Sequence, residues 1–147
     1  MAEIVAVCTS EKKGTVKRPQ PAITLQADFG IIGDAHAGEW HRQVSLLAEE
    51  STLPLKAQFS HIAPGAFAEN ILTKGMTLHT LPIGTRLVIE DVLLEITQIG
   101  KECHTACEIR RLTGDCVMPR EGVFARVLRG GVLRPGSPIT IQEVDCV

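Results

Sequence analysis

Hydrophobic and polar positions along this chain fall into short segments of strand type, cleanest where they alternate with a period of two, the signature of a half-buried strand. Residues 23–29 are the clearest case. Ile23, Leu25, Ala27 and Phe29 fall on one face, and Thr24, Gln26 and Asp28 on the other. Short apolar runs at 4–8, 42–48, 123–128 and 139–144 read as further strands. Residues 85–89 and 92–99 read as two arms of a hairpin about Glu90-Asp91, although a two-residue turn ordinarily wants Gly or Asn. A helix is expected at 49–59. Glu49 and Glu50 suit the positive end of its dipole, and Pro54 is expected near the first turn. Segment 11–21, with Lys12, Lys13, Gly14, Lys17, Arg18 and Pro19, reads as a loop whose basic residues are a solvated surface. Gly30, Gly33 and Gly38 punctuate a second loop. Pro64-Gly65, Gly130-Gly131 and Pro135-Gly136 mark turns or strand stops. Many short strands, Gly/Pro punctuation and little helix predict a mainly β domain, a sandwich or barrel. No repeat or linker divides the 147 residues, so one domain over 1–147 is expected.

Composition narrows the function. The net charge is −2 and there is no tyrosine, so the basic footprint and stacking rings of a nucleic-acid binder are missing. The longest apolar runs fall far short of a membrane span, and no basic-then-apolar leader opens the chain. Five cysteines, an odd number, cannot all pair within one chain. With no secretion signal they point to a reducing cytoplasm, where thiols serve chemistry, metal binding or packing.

Cys103 and Cys107 lie in Gly100-Lys101-Glu102-Cys103-His104-Thr105-Ala106-Cys107, directly after the 92–99 strand. Strand ends that open into loops often carry reactive groups. Positive charge lowers a thiol's pKa, and Lys101, Arg110 and Arg111 are near in sequence. This favours a reactive or ligand role for at least one of the pair over burial as small hydrophobes. Cys116 can complete a three-thiol cluster. With His104 the set can also hold zinc, although the spacing matches no common finger. Cys8 and Cys146 read as packing residues. Asp34, His36, His41 and Arg42 form a second polar group, suited to proton transfer, metal or phosphate. Phe67, Glu69 and Asn70 form a third. Arg120, Arg126 and Arg129 add positive charge near the C-terminal strand, as a phosphate cradle or as surface ion pairs.

Several segments, in order, resemble the MOSC family, named for the C-terminal domain of molybdenum-cofactor sulfurases. They are Gly33-Asp34-Ala35-His36-Ala37-Gly38, Arg42-Gln43-Val44-Ser45-Leu46, Phe67-Ala68-Glu69-Asn70-Ile71, Leu81-Pro82-Ile83-Gly84-Thr85-Arg86-Leu87 and the stretch from Leu94 to Cys103. The tail from Met118 to Val127 is similar to that of short stand-alone bacterial members. The resemblance implies a β-barrel with a few short helices and association with the molybdenum cofactor, molybdopterin carrying molybdenum. It implies that Cys103 is the family cysteine, a molybdenum ligand or persulfide carrier, with Cys107 and Cys116 as neighbouring thiols. Asp34, His36, Arg42, Glu69, Asn70, Lys101, Arg120 and Arg126 are then the expected cofactor contacts, Arg42, Arg120 and Arg126 being candidates for its phosphate. Molybdopterin-processing enzymes are the expected partners. Two other activities follow from the same resemblance: a molybdenum-dependent reductase of N-hydroxylated compounds, and a non-catalytic docking module.

Overall fold

A computed structural model describes residues 2–12, 16–58, 63–100 and 121–142. The strands are β1 (Glu3–Thr9), β2 (Arg18–Gln20), β3 (Ile23–Gln26), β4 (Gly30–Ile31), β5 (Val44–Ala48), β6 (Ile71–Lys74), β7 (Arg86–Ile89), β8 (Val92–Ile99), β9 (Val123–Arg129), β10 (Gly131–Leu133) and β11 (Ile139–Ile141). Helix α1 (Glu49–Gln58) links β5 to β6, and a single 3-10 turn covers Leu78–Thr80. The mainly β class expected from the alternation is what forms.

Eight strands make one sheet in the order β11-β7-β8-β9-β5-β6-β1-β2; β10, β3 and β4 make a second. Pairing is antiparallel except between β5 and β6, the pair that α1 connects. The large sheet is not a closed barrel. The segment entering β11 approaches β1, one strand in from the β2 edge, through one bridge, Glu3 to Pro138, and through backbone bonds from Ile4 N to Ser137 O (2.9 Å), Gly136 N to Ile4 O (2.8 Å) and Ile139 N to Ala2 O (3.0 Å).

Successive side chains of a strand point to opposite faces, and the middle of this sheet is apolar on both. Val7, Leu46, Ile71, Val123 and Ala125 belong to the inner core, with Ile23, Leu25 and Leu133 of the small sheet packed over them. Their neighbours Ala6, Cys8, Leu47, Leu72 and Phe124 form a second cluster on the other face with Phe67. β5 is accordingly buried at all five positions.

Several elements differ from the sequence expectation. The strand at 23–29 stops at Gln26 because Asp28 turns into the left-handed region (φ 56), its N–H bonding Val127 O at 2.9 Å. The strand expected from Arg42 begins at Val44. Pro54 lies past the first turn of α1, where it removes an interior backbone donor. Within the segment read as a solvated loop, 18–20 pair with β1, and Lys17 is 2% exposed. The 86–99 hairpin forms with Glu90 at φ 54, a conformation glycine ordinarily supplies.

Candidate functional site

Lys17 and Asp34 anchor the candidate site. Lys17 enters β2, its N–H bonded to Gly65 O at 2.8 Å, and Asp34 follows β4, its N–H bonded to Ile31 O at 3.1 Å. Lys17 Nζ lies 2.7 Å from Asp34 Oδ1, and both side chains are fully buried. The ammonium also reaches Ser10 Oγ at 3.0 Å and His36 Nδ1 at 3.1 Å. Asp34 Oδ1 further accepts Ser10 N–H at 3.0 Å, and Oδ2 accepts His36 N–H at 3.0 Å. Burial alone would raise the Asp34 pKa. The hydrogen bonds it accepts from the Lys17 ammonium and the His36 backbone N–H, with the charge of Lys17, outweigh it and hold the carboxyl well below the usual carboxylate range. Burial pulls the Lys17 ammonium down, and its bond to Asp34 opposes that pull. The pair fixes the 33–38 loop to the ends of β1 and β2.

A layer of rings grows out from this anchor. The imidazole of His36 is parallel to the indole of Trp40, with 6.3 Å between centroids and 3° between planes. Trp40 Nε1 donates to His36 O at 2.7 Å. The Arg42 guanidinium lies 4.7 Å from the Trp40 ring centroid and 5.7 Å from that of Phe124 on β9. No carboxylate pairs with Arg42 among the described residues. Buried Gln43 ties the layer to the sheet, donating to Gly38 O at 3.0 Å and accepting Val127 N–H at 2.9 Å. His41 is held beside β8, its carbonyl accepting from Thr97 Oγ1 at 2.7 Å.

A cleft of about 590 Å³ opens beside the anchor, lined by Thr9, Ser10, Lys12, Arg18 and Gly33 among others. A second hollow of about 270 Å³ shares Thr9 and Gln20 with it and is more apolar, with Ala22, Ile23 and Ile32. The larger volume is in the range of small-molecule sites.

The structure brings together Asp34, His36 and Arg42 of the expected contacts. Glu69 and Asn70 are placed differently, inside the fold. Glu69 Oε2 and Oε1 accept the N–H groups of Gly65 (2.9 Å) and Phe67 (3.1 Å), and burial pushes the carboxyl pKa up. Asn70 braces three strands. Its Oδ1 accepts Ser45 N–H at 2.9 Å, and its Nδ2 donates to Cys8 O at 3.1 Å. Cys8 is wholly buried and its thiol pKa is pushed up to about 12, by burial first and by the charge of Glu69 second. Arg126 is on β9 and pairs with Glu95 at 2.9 Å, a half-exposed surface contact. Lys101, Cys103, Cys107, Cys116, Arg120 and Cys146 lie outside the described residues. No cluster of three metal-ligating side chains occurs among the described residues. Sequence reasoning missed Lys17, Ser10, Trp40 and Gln43. A lysine among Lys12, Lys13 and Arg18 carries no sign of burial, and a lone tryptophan shows no partner until the loop folds.

No helix among the described residues is long and apolar enough to cross a membrane. The fold is shared with crystal structures of bacterial proteins. The YuaD protein of Bacillus subtilis superposes with a TM-score of 0.79 at 18% identity, over 99% of this chain and 98% of that one. YiiM of Geobacillus stearothermophilus gives 0.73 at 19% identity, over 97% of this chain and 76% of that one. YiiM of Escherichia coli gives 0.71 at 18%, over 98% and 71%. No curated protein sequence matches the chain. The MOSC domain matches residues 33–140, which begin at the Asp34 loop and run into β11. With the segments 33–38 and 42–46 folded into one anchored layer within that match, the chain belongs to the MOSC domain family.

Proposed function

We propose that this protein handles the molybdenum cofactor, binding its pterin phosphate or carrying sulfur during its maturation. The observation that carries this reading is Arg42. Its guanidinium lies over the rings of Trp40 and Phe124, 4.7 and 5.7 Å from their centroids, with no carboxylate among the described residues to neutralise it. A guanidinium held against aromatic rings and not spent on a carboxylate keeps its donor fork for an anion such as phosphate. The family of the chain is linked to molybdenum-cofactor sulfurase-type proteins. The donor set fits the group. Arg18 offers charge and Thr9 a hydroxyl within the cleft of about 590 Å³, which Glu11 also lines and which has room for a pterin phosphate; Arg42 stands outside that lining, against Trp40 and Phe124.

When bound, the cofactor would supply a metal centre for redox or sulfur chemistry. Arg42 would hold the phosphate, and the Lys17–Asp34 pair would keep the loop in place. The thiol of Cys103 is the proposed ligand or sulfur carrier, accepting sulfane sulfur from a donor persulfide. The expected partners are molybdopterin-processing enzymes, and the expected compartment is the cytoplasm.

The test is anaerobic purification from a molybdate-fed host that makes the cofactor, with molybdenum measured by elemental analysis and pterin by fluorescence after oxidation. Stoichiometric molybdenum and pterin, lost in Cys103→Ser and reduced in Arg42→Met, is the expected result. If both are absent and persulfide trapping on Cys103 is also negative, the reading falls and a docking role without cofactor replaces it.

A further inference from the structure

We propose that Lys17 is a positioning residue that fixes the imidazole of His36 as an Nε2–H donor, available to an oxyanion of the phosphate class. The inference rests on the cofactor reading only for the class of the anion.

The argument is a count of protons and lone pairs. Lys17 Nζ and His36 Nδ1 are 3.1 Å apart, so one of the two nitrogens must supply a lone pair. Lys17 Nζ is 2.7 Å from a fully buried carboxylate, and an ammonium has three donors and no acceptor. One donor goes to Asp34 Oδ1. A second goes to Ser10 Oγ at 3.0 Å, because that hydroxyl uses its own proton on Lys12 O, also at 3.0 Å. The third meets Nδ1. Asp34 Oδ2 is 3.7 Å from Nδ1, beyond a hydrogen bond, and already accepts the His36 backbone N–H. Nδ1 is therefore the acceptor and the ring proton sits on Nε2.

The rest of the ring is equally constrained. The indole of Trp40 lies parallel to it, and the same indole binds the His36 carbonyl at 2.7 Å. The side chain keeps 15% of its surface open. Its Nε2 makes no hydrogen bond within the described residues, while the Arg42 guanidinium lies against the same indole. In this tautomer Nε2 has no lone pair for a metal, so His36 acts as a hydrogen-bond donor and not as a ligand. Arg42 supplies charge to an anion, and His36 supplies a directed N–H whose orientation is settled before the anion arrives.

The decisive measurement is long-range proton–nitrogen NMR of the imidazole rings in the unmodified full chain, before and during titration with inorganic phosphate. The expected result is an Nε2–H tautomer for His36 and movement of its ring signals as phosphate binds. His36→Phe should weaken phosphate binding roughly tenfold, the worth of one hydrogen bond to a charged group. His36→Gln, which restores a side-chain N–H at similar reach, should recover most of that loss. In Lys17→Met, where that variant folds, the His36 ring should show mixed tautomers. An Nδ1–H tautomer in the unmodified protein, ring signals that phosphate leaves unmoved, or a His36→Phe variant that binds as tightly as the parent would overturn the proposal. A protein that passes these tests yet never holds molybdenum or pterin would overturn the cofactor reading and leave the donor role standing.

Discussion

Replacing Asp34 with asparagine removes the partner of a lysine that has no water to fall back on. The Lys17 ammonium is fully buried, and an uncompensated buried charge is far more costly than the intact pair is favourable. Asp34→Asn should cost about 3–5 kcal/mol, read as a lower midpoint in urea. The same residue gives a pH dependence. Its folded pKa is depressed, so the unfolded chain binds the proton more tightly. Its stabilisation is therefore complete above the ordinary aspartate value of about 3.9 and is lost as pH falls below it. Between about pH 5 and pH 2.5 the parent should lose stability more steeply than Asp34→Asn does; parallel profiles would show that the pair does not act this way. Asp34, His36 and Arg42 were legible because polar residues between glycines in a loop stand out from the strand pattern. Lys17 was not legible, because its burial depends on Asp34 and Ser10, and no local pattern announces contacts 17 and 7 positions away. Glu69 and Asn70 were legible as polar and special. Only the folded chain shows that their polar atoms are spent on Gly65, Phe67, Ser45 and Cys8.

At the scale of elements, the 63–70 loop and the entry to β2 are locked together at Gly65. A Cβ built there would come within 2.1 Å of Lys17 O, and the residue sits at φ +89. Gly33 has nearly the same φ, +88, but nothing within 4 Å of the added carbon. Gly33→Ala should therefore cost only the backbone strain, about 1–2 kcal/mol. Gly65→Ala should exceed about 3 kcal/mol, since backbone must move to admit it. Equal midpoints for the two variants in thermal melts would refute this ranking. Longer elements were read well from the chain. β1, β5, β8, β9 and α1 all lie where the apolar spacing put them, with ends shifted by a few residues. The short strands escaped. β2 contains Pro19, β10 begins at Gly131, and β4 has two residues, so pairing with a neighbour defines them and composition does not. Pro19 also has a protective effect. Cys8 N–H is bonded to Asn70 O at 2.7 Å on the β6 side, so the outward backbone position opposite it on β2 belongs to Pro19, which has no N–H. The open edge of the large sheet thus lacks a donor where another strand would pair.

Across the whole molecule, most ladders join residues far apart in sequence. β1 pairs with β6, β5 with β9 and β7 with β11. Loop-closure entropy must be met before such contacts form, so refolding from urea should take milliseconds to seconds. Stopped-flow fluorescence of the single tryptophan, Trp40, would follow it, and a microsecond phase carrying the full amplitude would contradict this reading. The barrel expected from the family resemblance is present only as a curl in which β11 meets β1 while β2 remains an open edge. That contact brings the first and last strands to one place, with Ala2 O and Ile139 N hydrogen-bonded at 3.0 Å. A fold that enters and leaves at a single point can be carried by a larger protein as an insert in one surface loop, with little disturbance to the host chain on either side.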